Sequence, residues 1–96
     1  MITEIAFMSI VPGQEDAFLA ALEEAKLVIA RADGFRSLRV QRGIERPSTF
    51  VLTIEWDTLE AHTVGFRQGP LFAEWRSHIG PYFAEAPLVE HWTPLA

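Results

Sequence analysis

The spacing of apolar side chains divides the chain into alternating strands and helices. Residues 49–56 give the clearest strand, because their apolar positions recur every second residue, which is the period of a pleated strand. The apolar residues of this strand are Phe50, Leu52, Ile54 and Trp56. Three further strands are predicted over residues 2–11, 35–44 and 87–92.

Two stretches between these strands repeat their apolar positions at helical spacing. The first begins near Gln14 and continues to about residue 32, with one apolar face formed by Phe18, Leu22, Ala25 and Ile29. The second follows Asp57, which is predicted to cap it, with Glu60 at the capping-box position. A break is expected at Gly69-Pro70, because proline suits the first turn of a new helix.

The order β-α-β-β-α(α)-β predicts one α+β domain over residues 1–96. A ferredoxin-like plait is expected, with a four-stranded antiparallel sheet and its helices on one face. The first strand nevertheless carries apolar residues on both faces: Ile2, Ala6, Met8 and Ile10 on one, Ile5, Phe7 and Val11 on the other. We therefore expect the same sheet of a second copy to cover the other face, giving a dimeric α+β barrel.

Composition narrows the classes of function. The formal charge of −5 argues against a nucleic-acid partner, and no apolar run is long enough to span a membrane. Cysteine is absent, which excludes disulfides, thiolate metal sites and cysteine nucleophiles. The first residues lack a basic region and carry Glu4 early, so a signal peptide is not predicted and a reducing cytoplasm is expected.

Several local motifs together resemble one known family. They are Pro12-Gly13, Asp33-Gly34-Phe35, the block from Glu55 to His62, Phe66-Arg67, Phe72 to Trp75, Pro81-Tyr82-Phe83 and Val89-Glu90-His91. In these features the chain resembles the antibiotic biosynthesis monooxygenase family of dimeric α+β barrels. The resemblance implies an oxygenation without cofactor or metal, in which a phenol is deprotonated and its anion reduces dioxygen on the way to a quinone.

Candidate catalytic residues follow the third strand. His62 is predicted as a general base, because the usual imidazole pKa near 6.5 suits removal of a phenolic proton. Arg67 is predicted to pair with a substrate anion, and Tyr82 to hydrogen-bond a substrate oxygen. The predicted walls for a small aromatic ligand are Phe66, Phe72, Trp75 and Trp56. Ordinary core packing is the alternative for the aromatic residues, and a structural histidine the alternative for His62.

Two other functions remain open from the sequence. One is a non-catalytic or stress-response module that holds a small hydrophobic ligand. The other is haem binding through His78, as in haem-degrading relatives that have an asparagine near the position of Ala6 and a tryptophan near that of Phe66. Glu74 and His78 have the spacing of a helical metal pair, but a third ligand is not evident and no metal is predicted.

Overall fold

The computed structural model describes residues 1–95. The strands are β1 (Ile2–Ser9), β2 (Phe35–Arg42), β3 (Thr49–Trp56) and β4 (Leu88–Trp92). The helices are α1 (Glu15–Ile29), a π-helical segment (Ala61–Phe66), α2 (Pro70–Ile79) and a 3₁₀ turn (Gly80–Tyr82). In this part of the chain, no helix is long and apolar enough to cross a membrane.

The four strands form one antiparallel sheet in the order β2-β3-β1-β4. Because β1 and β3 lie at the centre, their alternating side chains define two faces of the sheet. Both α-helices pack on the same face, which we call the inner face; the opposite one is the outer face. The predicted ferredoxin-like α+β fold is therefore confirmed.

The inner face carries the hydrophobic core. Phe18 and Leu22 of α1 are fully buried against Phe50 and Leu52 of β3, and the rings of Phe18 and Phe50 lie 5.0 Å apart. Each such side chain contributes about 1.5–3 kcal/mol by leaving water. The apolar spacing that predicted α1 from the sequence is therefore the spacing that anchors it.

The predicted boundaries of β1 and α1 were too long. The ladder of β1 ends at Ser9, because the Ile10 N–H bonds to Ser48 and Ile10 then forms only an isolated bridge with Phe83. The Ala30 N–H still bonds four residues back to Lys26, but the amides of Arg31 and Ala32 bond three residues back, which is a tightening typical of helix ends.

The segment after β3 differs from the predicted α-helix in its cap and in its winding. The Thr58 hydroxyl, rather than the Asp57 carboxylate, accepts the Ala61 N–H at 3.0 Å. Asp57 instead accepts a hydrogen bond from Arg36 at 2.8 Å. The following residues are π-helical, with the Arg67 N–H bonded to the carbonyl of His62 five residues back.

The outer face of the sheet has no covering element in residues 1–95. Its side chains form three cross-strand rows: Ser37-Glu55-Thr3-Trp92, Arg39-Thr53-Ile5-Glu90 and Gln41-Val51-Phe7-Leu88. Leu88 and Trp92 are more than half exposed. This face therefore combines an exposed apolar surface with charges at its two edges.

Candidate active site

A cavity of about 330 Å³ lies between the inner face of the sheet, the π-helical segment and α2. This volume is at the lower end of the range for small-molecule sites. The ionisable residues that line it are Glu4, His62, Arg67 and Arg76. Its aromatic lining residues are Phe66, Phe72, Trp75 and Phe83. The cavity thus combines flat apolar walls with a small set of convergent charged groups.

A chain of polar side chains runs from this cavity to the edge of the sheet. Glu4 is only 5% exposed, and its Oε1 accepts a hydrogen bond from Trp56 Nε1 at 2.9 Å. His62 Nε2 lies 3.3 Å from the same oxygen, and His62 Nδ1 lies 2.8 Å from His91 Nε2. Since His62 is buried and His91 is exposed, the chain links a buried carboxyl group to solvent.

Burial shifts the pKa values of Glu4 and His62 in opposite directions. Desolvation raises the pKa of Glu4 to about 7, against the opposing effects of the Trp56 hydrogen bond and the Arg67 charge. Desolvation also lowers the pKa of His62 to about 4, with further lowering by His91 and Arg67. Glu4 is therefore the group in this pair that changes protonation near neutral pH, whereas His62 stays neutral.

The π-helical winding places the functional groups of its segment on one side. In an α-helix, a five-residue step would rotate Arg67 about 140° away from His62. The wider i→i+5 winding, closed by the bond between these two residues, turns Arg67 back towards the cavity. His62, Phe66 and Arg67 consequently all line the cavity.

Gly34 holds the π-helical segment close to the start of β2. It has a positive φ of 84°, and a Cβ there would lie 2.7 Å from Ala61 Cβ. The carbonyl of Gly34 also accepts the Asp57 N–H at 2.8 Å. Only glycine fits both this backbone conformation and this close approach, so Gly34 fixes the position of the residue next to His62.

The aromatic residues predicted as walls take two different positions. Phe66 packs edge-on against Phe72 at 5.6 Å and Trp75 at 6.1 Å, and all three line the cavity. Trp56 is fully buried and lies outside the lining. Its ring stacks on the His62 ring with the ring centres 5.3 Å apart, so Trp56 contacts His62 without lining the cavity.

Tyr82 and His78 also lie outside the cavity lining. Tyr82 is half-buried, and its side chain packs against the hydrophobic core beside the 3₁₀ turn. Its carbonyl accepts the Val11 N–H, which ties this turn to the end of β1. The role of Tyr82 as a hydrogen-bond donor to substrate stays a prediction.

Glu4 and His91 were not among the site residues predicted from the sequence. Glu4 shares the face of β1 on which Ala6 and Met8 are buried. A carboxylate among buried apolar positions could have identified Glu4 as a site residue, because charged side chains are almost never fully buried without a partner. The register that places His91 opposite Glu4 becomes visible only in the sheet.

The fold and the cavity together define a class: a small ferredoxin-like domain with an aromatic cavity and a buried carboxyl–imidazole chain. The family model of antibiotic biosynthesis monooxygenases matches residues 1–77. The chain therefore belongs to this family, and the resemblance found in the sequence is confirmed.

Individual relatives agree with this assignment. The uncharacterized protein YczJ of Bacillus subtilis (strain 168) is 32% identical over 92 residues, covering 96% of this chain and 97% of YczJ. A Bordetella bronchiseptica crystal structure of the antibiotic biosynthesis monooxygenase class is 38% identical, with a TM-score of 0.95 over 99% of this chain and 97% of its own.

A more distant structure contains a ligand. The Streptomyces coelicolor monooxygenase from the gene ActVA-Orf6, in complex with Nanaomycin D, has a TM-score of 0.81 and 19% identity. The match covers 99% of this chain and 88% of the Streptomyces chain. At this identity the two proteins share the fold alone.

Proposed function

We propose that this protein is a cofactor-independent monooxygenase that oxidises an aromatic, polyketide-like or quinol hydroxyl compound with dioxygen. The observation that carries the proposal is the contact series Glu4–His62–His91, which begins in an aromatic cavity and ends at the exposed His91. Family membership supports the monooxygenase class. The chemistry requires a base, an anion-stabilising charge and a flat apolar pocket, and each has a candidate among the lining residues.

The proposed reaction balances without a bound cofactor. A base removes the hydroxyl proton, and the resulting phenolate transfers one electron to dioxygen. The aryloxyl radical and superoxide combine at a ring carbon that carries hydrogen. The peroxide takes up one proton, and loss of water with the ring hydrogen leaves a quinone. One oxygen atom of dioxygen enters the product and the other leaves in water, so dioxygen accepts all four electrons.

Glu4 is the proposed proton acceptor. The sequence suggested His62 for this role, but burial lowers the pKa of His62 to about 4, which makes its imidazole a weak base. A carboxyl group with a pKa of about 7 that lines the cavity matches the task better, because a base works best when its pKa is near the operating pH.

His62 and His91 are proposed to carry that proton outward. With Glu4 protonated, His62 accepts a proton at Nε2 and gives its Nδ1 proton to His91 Nε2. His62 stays neutral overall, in agreement with its lowered pKa. The positive charge moves to the exposed His91, which releases its proton to water.

The remaining lining residues are assigned to binding. Arg67 is proposed to stabilise the phenolate, since its charge acts on the pKa of Glu4 and of both histidines. Phe66, Phe72 and Trp75 are proposed to hold the ring. Trp56 acts indirectly through its hydrogen bond to Glu4. Tyr82 is left out of the proposed machinery because its side chain packs against the core.

Oxygen uptake with a panel of dihydroxynaphthalenes and anthrones tests this proposal. We expect Glu4→Gln to lower kcat/KM by about 10²–10⁴-fold, the usual contribution of a general base. Glu60→Gln is the matched control, since Glu60 is an exposed glutamate outside the cavity lining and its substitution should leave the rate unchanged. Turnover that survives in the Glu4 variant at the wild-type rate would contradict the assignment of the base.

The second candidate is a non-catalytic module that holds a hydrophobic ligand in the same cavity. The aromatic lining favours this function as much as it favours catalysis. A ligand that raises the Tm and is recovered chemically unchanged, with no oxygen consumed, would support this function instead.

Haem binding fits the cavity poorly. His78 lies outside the lining, and both ring nitrogens of His62 are engaged by Glu4 and His91. In residues 1–95 no group of three or more His, Asp or Glu side chains is arranged to hold a metal ion. We therefore expect an unchanged Soret band when haemin is added to the protein.

A homodimer is proposed to cover the outer face of the sheet. Phe7, Leu88 and Trp92 supply apolar surface there, and Arg39 and Glu90 stand at opposite edges of one cross-strand row. If the two-fold axis runs parallel to the strands, β2 of one copy faces β4 of the other. That arrangement brings Arg39 against Glu90 twice, a self-complementary pairing typical of a two-fold interface.

Size-exclusion chromatography with light scattering tests the dimer. We expect the wild-type chain to elute at twice its 10.8 kDa mass and Leu88→Arg to shift it towards the monomer. Leu27→Arg is the control, because Leu27 is a comparably exposed leucine on α1, away from the sheet. A wild-type monomer at micromolar concentration would contradict the proposal.

A further inference from the structure

Two guanidinium groups line the cavity and stack on the same aromatic ring. The Arg67 guanidinium carbon lies 5.4 Å from the centre of the Phe72 ring, and that of Arg76 lies 5.9 Å from it. Arg76 also lies 5.5 Å from the centre of Phe83. These contacts hold both planar groups at defined places in the cavity wall.

Neither arginine has a carboxylate partner within residues 1–95. The arginines that form ion pairs in this part of the chain are Arg31, with Glu74, and Arg36, with Asp57. The one carboxyl group among the residues that line the cavity is Glu4, whose pKa burial raises, so two guanidinium groups face a single carboxyl group there. The cavity wall is therefore positive, although the protein as a whole carries a charge of −5.

The two arginines differ in the groups that lie near them. Arg67 is near enough to lower the pKa of Glu4 and of both histidines in the polar chain. Arg76 lies on the side of Phe72 that is next to Phe83 and contributes to none of these shifts. Arg67 can therefore serve an oxygen near Glu4, whereas Arg76 has no such partner in the proposed reaction.

We infer that the ligand is an aromatic acid, with its carboxylate bound by Arg76 and its hydroxyl placed near Glu4 and Arg67. The flat body of such a ligand would lie against the other aromatic residues of the lining, Phe66, Trp75 and Phe83. The placement of the hydroxyl rests on the proposed oxygenase function, whereas the carboxylate subsite does not. Arg76 is thus assigned a role in substrate selection, separate from proton removal.

Calorimetric titration with 2-naphthoate and 2-naphthamide tests the carboxylate subsite without turnover. The two compounds have nearly the same shape and lack the hydroxyl group, so neither can form the phenolate. We expect the wild-type protein to bind the carboxylate about 10–100-fold more tightly, the gain from a charge-assisted hydrogen bond to arginine. Arg76→Gln should remove that preference and change the affinity for the amide less than about 2-fold.

Two further variants separate charge from packing. Arg76→Lys keeps the charge and should retain part of the preference, whereas a residue that only fills space would not depend on charge. Arg46→Gln removes one positive charge from an exposed loop and should leave the preference intact. Equal affinity of the wild-type protein for both compounds, no binding of either, or an unchanged preference in Arg76→Gln would overturn the inference.

Oxygen uptake separates this inference from the proposed function. A carboxylate preference without oxygen consumption on hydroxynaphthoates would support the subsite and contradict the oxygenase. Oxidation of neutral naphthols as fast as hydroxynaphthoates, with no carboxylate preference in binding, would support the oxygenase and contradict the carboxylate subsite.

Discussion

The layer between the sheet and the helices has a packed half, under α1, and a hollow half, under the π-helical segment and α2. Under α1, Phe18 and Leu22 meet Phe50 in a fully apolar, close-packed region. Beneath the π-helical segment and α2, Glu4 and His62 are just as deeply buried, yet they border a cavity of about 330 Å³. The packed half stabilises the fold, and the stability that it provides allows the hollow half to hold polar groups that are costly to bury.

Truncation of one side chain in each half gives the largest expected contrast. Leu22→Ala should reduce the free energy of unfolding by about 2–5 kcal/mol, because it leaves a void in a close-packed region. Phe72→Ala should cost clearly less, since Phe72 is only half-buried and already borders empty space. Urea denaturation measures both; equal losses would contradict the distinction between the halves.

The same two variants should differ in their affinity for a ligand. Phe72→Ala should weaken binding of a naphthalene ligand by removing the ring on which both arginines stack. Leu22→Ala should keep the wild-type affinity at temperatures where it remains folded.

The dependence of stability on pH sharpens the comparison within the hollow half. The pKa of Glu4 is raised from 4.5 to about 7, so its contribution to stability is complete below pH 4.5 and is lost as the pH rises to 7. The pKa of His62 is lowered from 6.5 to about 4, so its contribution is lost as the pH falls from 6.5 to 4. Between about pH 4.5 and 6.5 the two slopes oppose each other.

Substitution of Glu4 or of His62 should therefore reveal the pH dependence of stability that the remaining residue contributes. Relative to wild type, Glu4→Gln should gain stability with rising pH between 4.5 and 6.5, and His62→Gln should lose it. Each difference has an upper limit of about 3 kcal/mol, with His91 and Arg67 facing the pair in both variants. Urea midpoints at pH 4.5 and 6.5 measure it; parallel profiles for the two variants would contradict the opposed shifts.

Substitution of Gly34 tests how the hollow half is positioned. Gly34→Ala should cost about 1–3 kcal/mol, because alanine strains the positive φ and approaches Ala61 too closely. Gly13→Ala is the control: Gly13 also has a positive φ, but no atom within 4 Å of an added Cβ. We expect Gly34→Ala to be the more destabilised and to be the one that loses ligand affinity.

The smallest expected effect is that of Arg67 on the proposed base. Arg67→Gln removes a charge that lowers the pKa of Glu4, so that pKa should rise above about 7, by less than ~1 unit because the guanidinium is exposed to solvent. Carbon-13 NMR of the glutamate carboxyl groups measures the change directly. A fall in the pKa of Glu4 would contradict the proposed arrangement.

The packed half was largely predictable from the sequence, and the hollow half only in part. The bounds of β3 were predicted correctly, and the face of α1 follows from its apolar spacing. The helix cap at Thr58 and the π-helical winding were not predicted, because both depend on where the segment must lie between Gly34 and the core. His62, Phe66 and Arg67 were predicted as site residues, but not the carboxyl group that faces them.

The order of the elements, the buried face of each and the aromatic character of the region after β3 all follow from the amino-acid sequence, because these depend on the local periodicity of apolar residues. Tertiary structure alone decided that Glu4, His62 and His91 meet, since they lie on three elements far apart in the chain. It also decided the protonation of Glu4 and His62, because a pKa follows from burial and neighbouring charges, which no linear spacing specifies.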